Sequence, residues 1–184
     1  MNRIFLTLVI CGNLTAFGAF ALGWMIDDPT VADATVQSTV SWHLKIGVAA
    51  IVFAMMLHAL TLTYFMGTGR WVEETSRAYR LGADYHQRNQ KLKYQTLPGL
   101  IVCLVMFVVT GARGAATDPA SHVGFTGWFG IPAPTIHFLV AAGTIALNLV
   151  VNYLEYDAIS RNAVVISDVV VEVNRIRHEK GLVI

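Results

Sequence analysis

Apolar residues fall along this chain in four long blocks separated by short polar stretches. No Asp, Glu, Lys or Arg occurs between Arg3 and Asp27, Lys45 and Arg70, Lys93 and Arg113, or Asp118 and Glu155. A helix needs roughly 20 predominantly apolar residues to cross the hydrocarbon core of a bilayer. Each window is about that long or longer, which predicts four membrane-spanning helices over about 4–25, 42–66, 96–112 and 134–156. The expected fold is all-α: an integral membrane four-helix bundle over residues 1–156. Pro134 suits the first turn of the fourth helix, where its missing N–H costs nothing.

Two polar stretches carry patterns of their own. In the segment 68–95, Trp71, Ala78, Tyr85 and Leu92 recur at seven-residue intervals, which predicts an amphipathic connecting helix on one apolar stripe, as a helical hairpin or an extension of span two against the inner surface. A plain basic loop is the alternative there. The tail 157–184 predicts an amphipathic C-terminal helix. Its apolar residues are mostly β-branched, so propensity alone allows a strand. Continuity with the fourth span, and Glu172 three residues before Arg175, favour the helix. Gly67 and Gly69, between Phe65 and Arg70, read as a turn out of the membrane. A headgroup or quinone oxygen is a second reading of that junction. It lacks the spacing and Lys of a phosphate loop, so nucleotide binding is not expected.

Composition agrees with a membrane class: 55% of residues are hydrophobic and 14% charged. Soluble domains carry nearer 25% charged residues. The net charge of +1 hides an uneven distribution. Arg70, Arg77, Arg80, Arg88, Lys91 and Lys93 crowd one connection, whereas 26–41 and 115–133 contain no Lys or Arg. By the positive-inside rule the basic connection is cytoplasmic, and so are both termini. The simplest location is an inner (plasma) membrane. Arg3, the following apolar run and Ala19-Phe20-Ala21 also have the outline of a cleavable signal. The length of the run favours a retained span. Cys11 and Cys103 both fall within spans, where a structural disulfide is not expected.

Histidine is the residue type with chemical content. An ionisable group inside a span is costly and usually turns inward to a partner. His43 opens span two and His137 opens span four. Both spans run in the same direction, so the two imidazoles stand at similar depth near the outer face. Arg113, at the end of span three, reaches that level. His58 lies fifteen residues below His43, about 60° round the helix and roughly 22 Å deeper. The face of span four continues from His137 through Ala141, Thr144, Asn148 and Asn152 to Glu155.

Two imidazoles facing across a bundle can supply both axial ligands of a haem iron. Arg113 can pair with haem propionates. The arrangement resembles that of membrane cytochrome b subunits, in which haems sit between four helices. The resemblance implies haem b, held by His43 and His137. His58 has no histidine counterpart on span four, so one haem at most is expected. Copper held by His43, His137 and His122 is a second metal reading, and His58 with Cys11 and Cys103 is a weaker metal set than a hydrogen-bond network. A purely structural role for the interfacial histidines is the plain alternative. His86 and His178 read as solvated surface residues.

No hydrolytic arrangement is visible, so no independent catalytic activity is expected. Two functions from different classes remain. One is an electron-transfer subunit of a membrane oxidoreductase complex, with quinone among its partners. The other is a cofactor-free subunit that anchors a larger complex through its cytoplasmic segment and tail. A nucleic-acid partner is not expected.

Overall fold

The computed structural model describes residues 2–182. Helix α1 spans Asn2–Trp24, α2 Ala34–Tyr79, α3 Asp84–Thr117 and α4 Ala133–Glu179. An antiparallel hairpin, β1 (Gly127–Trp128) and β2 (Ile131–Pro132), joins α3 to α4. All four helices are long and apolar enough to cross a membrane, by length and composition. The helices pack in ring order, α1 on α2, α2 on α3, α3 on α4 and α4 on α1, so α2 and α4 face each other across a diagonal.

The distribution of polarity is inverted relative to a water-soluble bundle. Ile10 and Leu14 on α1, Val48 and Val52 on α2, Val105 and Val108 on α3, and Leu139 and Val150 on α4 are exposed. His58, Thr61, Thr144, Asn148, Asn152 and Glu155 are buried. Contiguous apolar surface of this extent needs a cover, and lipid supplies it at no cost to the helices.

Helix length divides the molecule into two storeys. The 23 residues of α1 match a single span. The 46 residues of α2 and 47 of α4 are each roughly 70 Å long at 1.5 Å per residue, against a core of about 30 Å. Asn2 Nδ2 donates to Ser160 Oγ (2.8 Å), which fixes the level at which α1 begins beside α4. Beyond that level α2, α3 and α4 continue as a three-helix bundle. Val72, Ile159, Val165 and Val169 fill its core, and Arg88 pairs with Asp168 at 2.9 Å across α3 and α4.

Two expectations change here. The segment 68–95 takes the form of a helical hairpin, not of one connecting helix on a single stripe. It consists of the end of α2, a turn over 80–83 and the start of α3. Arg80 takes the left-handed conformation (φ 56°) that stops α2. The stripe Trp71, Ala78, Tyr85, Leu92 straddles that turn, so it forms no single face. Trp71 and Ala78 are exposed while Leu92 is buried. Phe65, Gly69, Val72 and Ser76 are the residues of α2 that turn inward instead. Gly69 permits the approach: a Cβ there would lie 2.7 Å from Asn89 Oδ1. The tail is the continuation of α4 through Glu179, as continuity with the fourth span led one to expect; residues 183 and 184 lie outside the described residues. Finally, α2 begins at Ala34 rather than near 42, because Asp33 Oδ1 accepts from the N–H groups of Thr35 (2.8 Å) and Val36 (3.2 Å) and caps the helix. Those N–H groups, Val36 first, hold the Asp33 carboxyl below its ordinary range. Span four starts as expected, with Pro134 in the first turn of α4.

The buried residues of α4 include Thr144, Asn148, Val151, Glu155, Ala158, Asn162, Val165 and Val169, alternately four and three apart. That is a 3.5-residue repeat, the seam of helices that wrap left-handedly. Polar residues recur within it every seventh position: Asn148, Glu155, Asn162. Helix α3 does the same with Asn89, Thr96, Cys103 and Thr110. One heptad is about 10.5 Å of helix, so polar layers repeat at that interval through the interior.

Candidate functional site

The layer nearest the β-hairpin holds the predicted histidine pair. His43 on α2 and His137 on α4 meet across the diagonal with ring centroids 6.1 Å apart and planes at 81°. His43 Nδ1 lies 2.8 Å from the Ala19 carbonyl oxygen of α1. A carbonyl only accepts, so Nδ1 carries the hydrogen, and in the neutral ring Nε2 then keeps its lone pair. This is the tautomer and backbone anchor characteristic of metal-bound histidines. His137 Nδ1 makes no close hydrogen bond among the described residues, and the Thr110 backbone carbonyl stands near the ring.

Two glycines make room for the rings. A Cβ at Gly23 of α1 would stand 2.8 Å from His43 Cε1, and one at Gly114 of α3 would stand 3.1 Å from His137 Cε1. Nothing lies within 4 Å of a Cβ built at Gly47, one turn below His43. An imidazole nitrogen sits about 2 Å from a first-row metal, and the ring centre about 1 Å further back, so two imidazoles on one ion have centroids roughly 6 Å apart. The spacing of the pair, the anchored tautomer, the buried nitrogen without a close hydrogen bond and the glycine recesses all fit two axial ligands.

Arg113 stacks its guanidinium over Trp128 (3.9 Å to the ring centroid) and Phe125 (4.8 Å). Stacking uses the flat faces and leaves the N–H edge for an anion. Among the described residues no carboxylate pairs with it. Trp128 is held by the hairpin, whose Gly127 is obligatory: a Cβ there would run into the Ile131 carbonyl at 2.1 Å.

The other candidate ligands do not join this pair. His122 is exposed on the loop. Among the described residues no group of three or more His, Cys, Asp or Glu side chains converges as a metal site. A copper reading is therefore left with two imidazoles. Cys11 is exposed and Cys103 buried, both as free thiols.

His58 belongs to a deeper layer, and both its nitrogens are engaged. Nδ1 lies 2.9 Å from Glu155 Oε1 and Nε2 3.2 Å from Asn148 Oδ1. The Cys103 thiol reaches Asn148 Oδ1 at 3.5 Å, and Asn148 Nδ2 donates to Asn13 Oδ1 at 2.8 Å. All four helices contribute to this network. Between it and the histidine pair, Thr110 and Thr144 join α3 to α4 through their hydroxyls at 2.7 Å. One heptad below Glu155 lies a further layer. There Asn89 Nδ2 donates to Asn162 Oδ1 (2.8 Å), and both amides donate to Thr68 Oγ1 (3.2 and 3.0 Å).

Sequence reasoning found His43, His137, His58, Asn148 and Glu155 but not Asn13, Asn89 or Asn162. The signal for the last two was the seven-residue spacing of polar residues on α3 and α4. Nothing in the spacing of α1 marked Asn13 or the Ala19 carbonyl. No family profile, no curated protein and no solved structure matches the chain.

Proposed function

We propose that this chain is a membrane-embedded electron-transfer subunit carrying one haem b between His43 and His137, near the outer face of an inner (plasma) membrane. The observation that carries the reading is the pair itself: two imidazoles 6.1 Å apart on diagonal helices. Among the described residues only two protein ligands converge there. A bound metal must draw its remaining donors from its own ligand, and a porphyrin supplies four in a plane. Haem would provide a one-electron carrier within tunnelling reach of the outer surface. His43 and His137 would hold it, Ala19 would fix the first ring through Nδ1–H, and the N–H edge of Arg113 would meet a propionate.

Quinol or an outer-face donor on one side, and partner subunits on the other, complete such a role. The basic connection at the α2–α3 turn and the absence of Lys and Arg from 115–133 support placing both termini in the cytoplasm. The three-helix extension of α2, α3 and α4 would then project into the cytoplasm. That extension also supports the second reading, a cofactor-free anchor of a larger complex, because it offers a rigid platform well clear of the lipid.

The test is a reduced-minus-oxidised visible spectrum of the purified full chain, with His43→Ala and His137→Ala as comparisons. A haem b band that either substitution abolishes while circular dichroism stays unchanged is the expected result. A well-folded parent, expressed with haem supply, that shows no such band overturns the haem reading and leaves the anchor.

A further inference from the structure

The haem reading makes no use of the layer around His58, which lies about 22 Å below His43. His58 and Glu155 have no solvent exposure at all. Asn148 Oδ1 accepts from the Cys103 thiol, and its Nδ2 donates to Asn13, so the oxygen facing His58 Nε2 is an acceptor and Nε2 carries a hydrogen. A single further proton then lies between Nδ1 and Glu155 Oε1, and the pair as a unit is neutral. The second carboxyl oxygen, Glu155 Oε2, is buried without a hydrogen-bond partner among the described residues, and so are both polar atoms of Asn152. Asn152 is three residues from Glu155 on the same face of α4, and only 3% exposed. A bare carboxyl oxygen in a bilayer interior is costly, and either a proton on it or a water beside it removes the cost.

We propose that the His58–Glu155 pair is a proton-binding site inside the bundle, served from the basic end through the Thr68–Asn89–Asn162 layer. One proton arriving at Glu155 Oε2 forms an O–H bond and takes the pair from neutral to a single positive charge. Its departure reverses this, and no electron moves. Ionisable residues inside membrane helices commonly serve such proton steps. Few other groups bear on the titration. Among the described residues, α3 presents Cys103 to His58 and α1 presents the uncharged Asn13. Helix α2 adds Tyr64, which reaches Asn162 one layer down. Thr61 and Thr96 lie between the two layers by helical position, both buried; each hydroxyl donates to its own helix backbone and would have to turn to pass a proton on. The plain alternative is a register device, in which buried polar residues only fix how the helices align.

The experiment is infrared difference spectroscopy of the full chain in liposomes, stepped between acidic and neutral bulk pH, in H2O and in D2O. A protonated-carboxyl band that exchanges slowly with deuterium is expected in the parent, because the other glutamates, which are surface residues, exchange within mixing. Glu155→Gln should abolish the band, and His58→Gln should keep it but move its titration. Asn162→Leu should keep the band and slow its exchange at least tenfold. A parent with no slowly exchanging carboxyl overturns the proposal and leaves the register device, even if a variant fails to fold. A band that survives Glu155→Gln also overturns it, and exchange unchanged in folded Asn162→Leu removes the basic-end route. The outcome is separable from the haem reading, since His43→Ala should leave the band intact.

Discussion

His58 and Glu155 lie 97 positions apart in the chain and meet at 2.9 Å in a fully buried contact between α2 and α4. Desolvating such a pair costs several kcal/mol per charge, and mutual attraction repays it only while both partners stay. His58→Leu strands the carboxyl and should lower stability by about 3–5 kcal/mol. The double variant His58→Leu/Glu155→Leu should recover most of that loss. Denaturant unfolding in detergent micelles measures both. A single variant as stable as the parent would mean that the contact is energetically idle.

The glycine beside His43 gives a second prediction. A methyl at Gly23 would press on the imidazole at 2.8 Å, shifting the ring away from its Ala19 anchor. If the pair holds haem, Gly23→Ala should weaken haem affinity by about 10- to 100-fold, the range for disturbed ligand support. Gly18→Ala is the control, because its Cβ would make an ordinary 3.9 Å contact with Ile46. Haem titration of the two variants separates them, and equal affinities would deny Gly23 its role.

Asp33 gives a pH prediction at the exposed start of α2. Its carboxyl is held below the ordinary range by the N–H groups it caps, so the folded state favours the ionised form. The sign follows from linkage: its contribution is complete above the unfolded value of about 3.9 and fades as pH falls through the lower folded value. The melting-temperature gap between the parent and Asp33→Ala should be open at neutral pH and narrow in acid below that value. A gap independent of pH would show that the cap works without its charge.

Topology is directly testable. In a chain with Cys11 and Cys103 replaced by Ala, a cysteine at Thr35 should react with an impermeant thiol reagent applied outside intact cells. One at Gln87 should react only after the cells are opened. Both positions are exposed, so accessibility within the protein does not limit either reaction. The reverse pattern would invert the orientation argued from the basic connection.

The sequence by itself determined four long apolar windows, because lipid demands long charge-free runs and the charges of this chain stand at or beyond the ends of those windows. It determined that His43 and His137 share a level, since helical rise is fixed and the two spans run the same way. It also marked the polar face from Thr144 to Glu155. Tertiary structure decided what those faces meet. Whether His58 found a metal or a carboxylate depended on which helix lay across the diagonal, and helix order is not written in span length or charge. The glycine recesses at Gly23 and Gly114, like the Ala19 carbonyl, arise from packing between helices, which no single-helix period encodes. The continuation of α4 past its apolar window was legible in the sequence as continuity with the fourth span. The buried repeat of α4 passes from Asn148 to Val169 without a break and takes in Glu155, the charge that ends the apolar window, so the end of the window does not interrupt the helix.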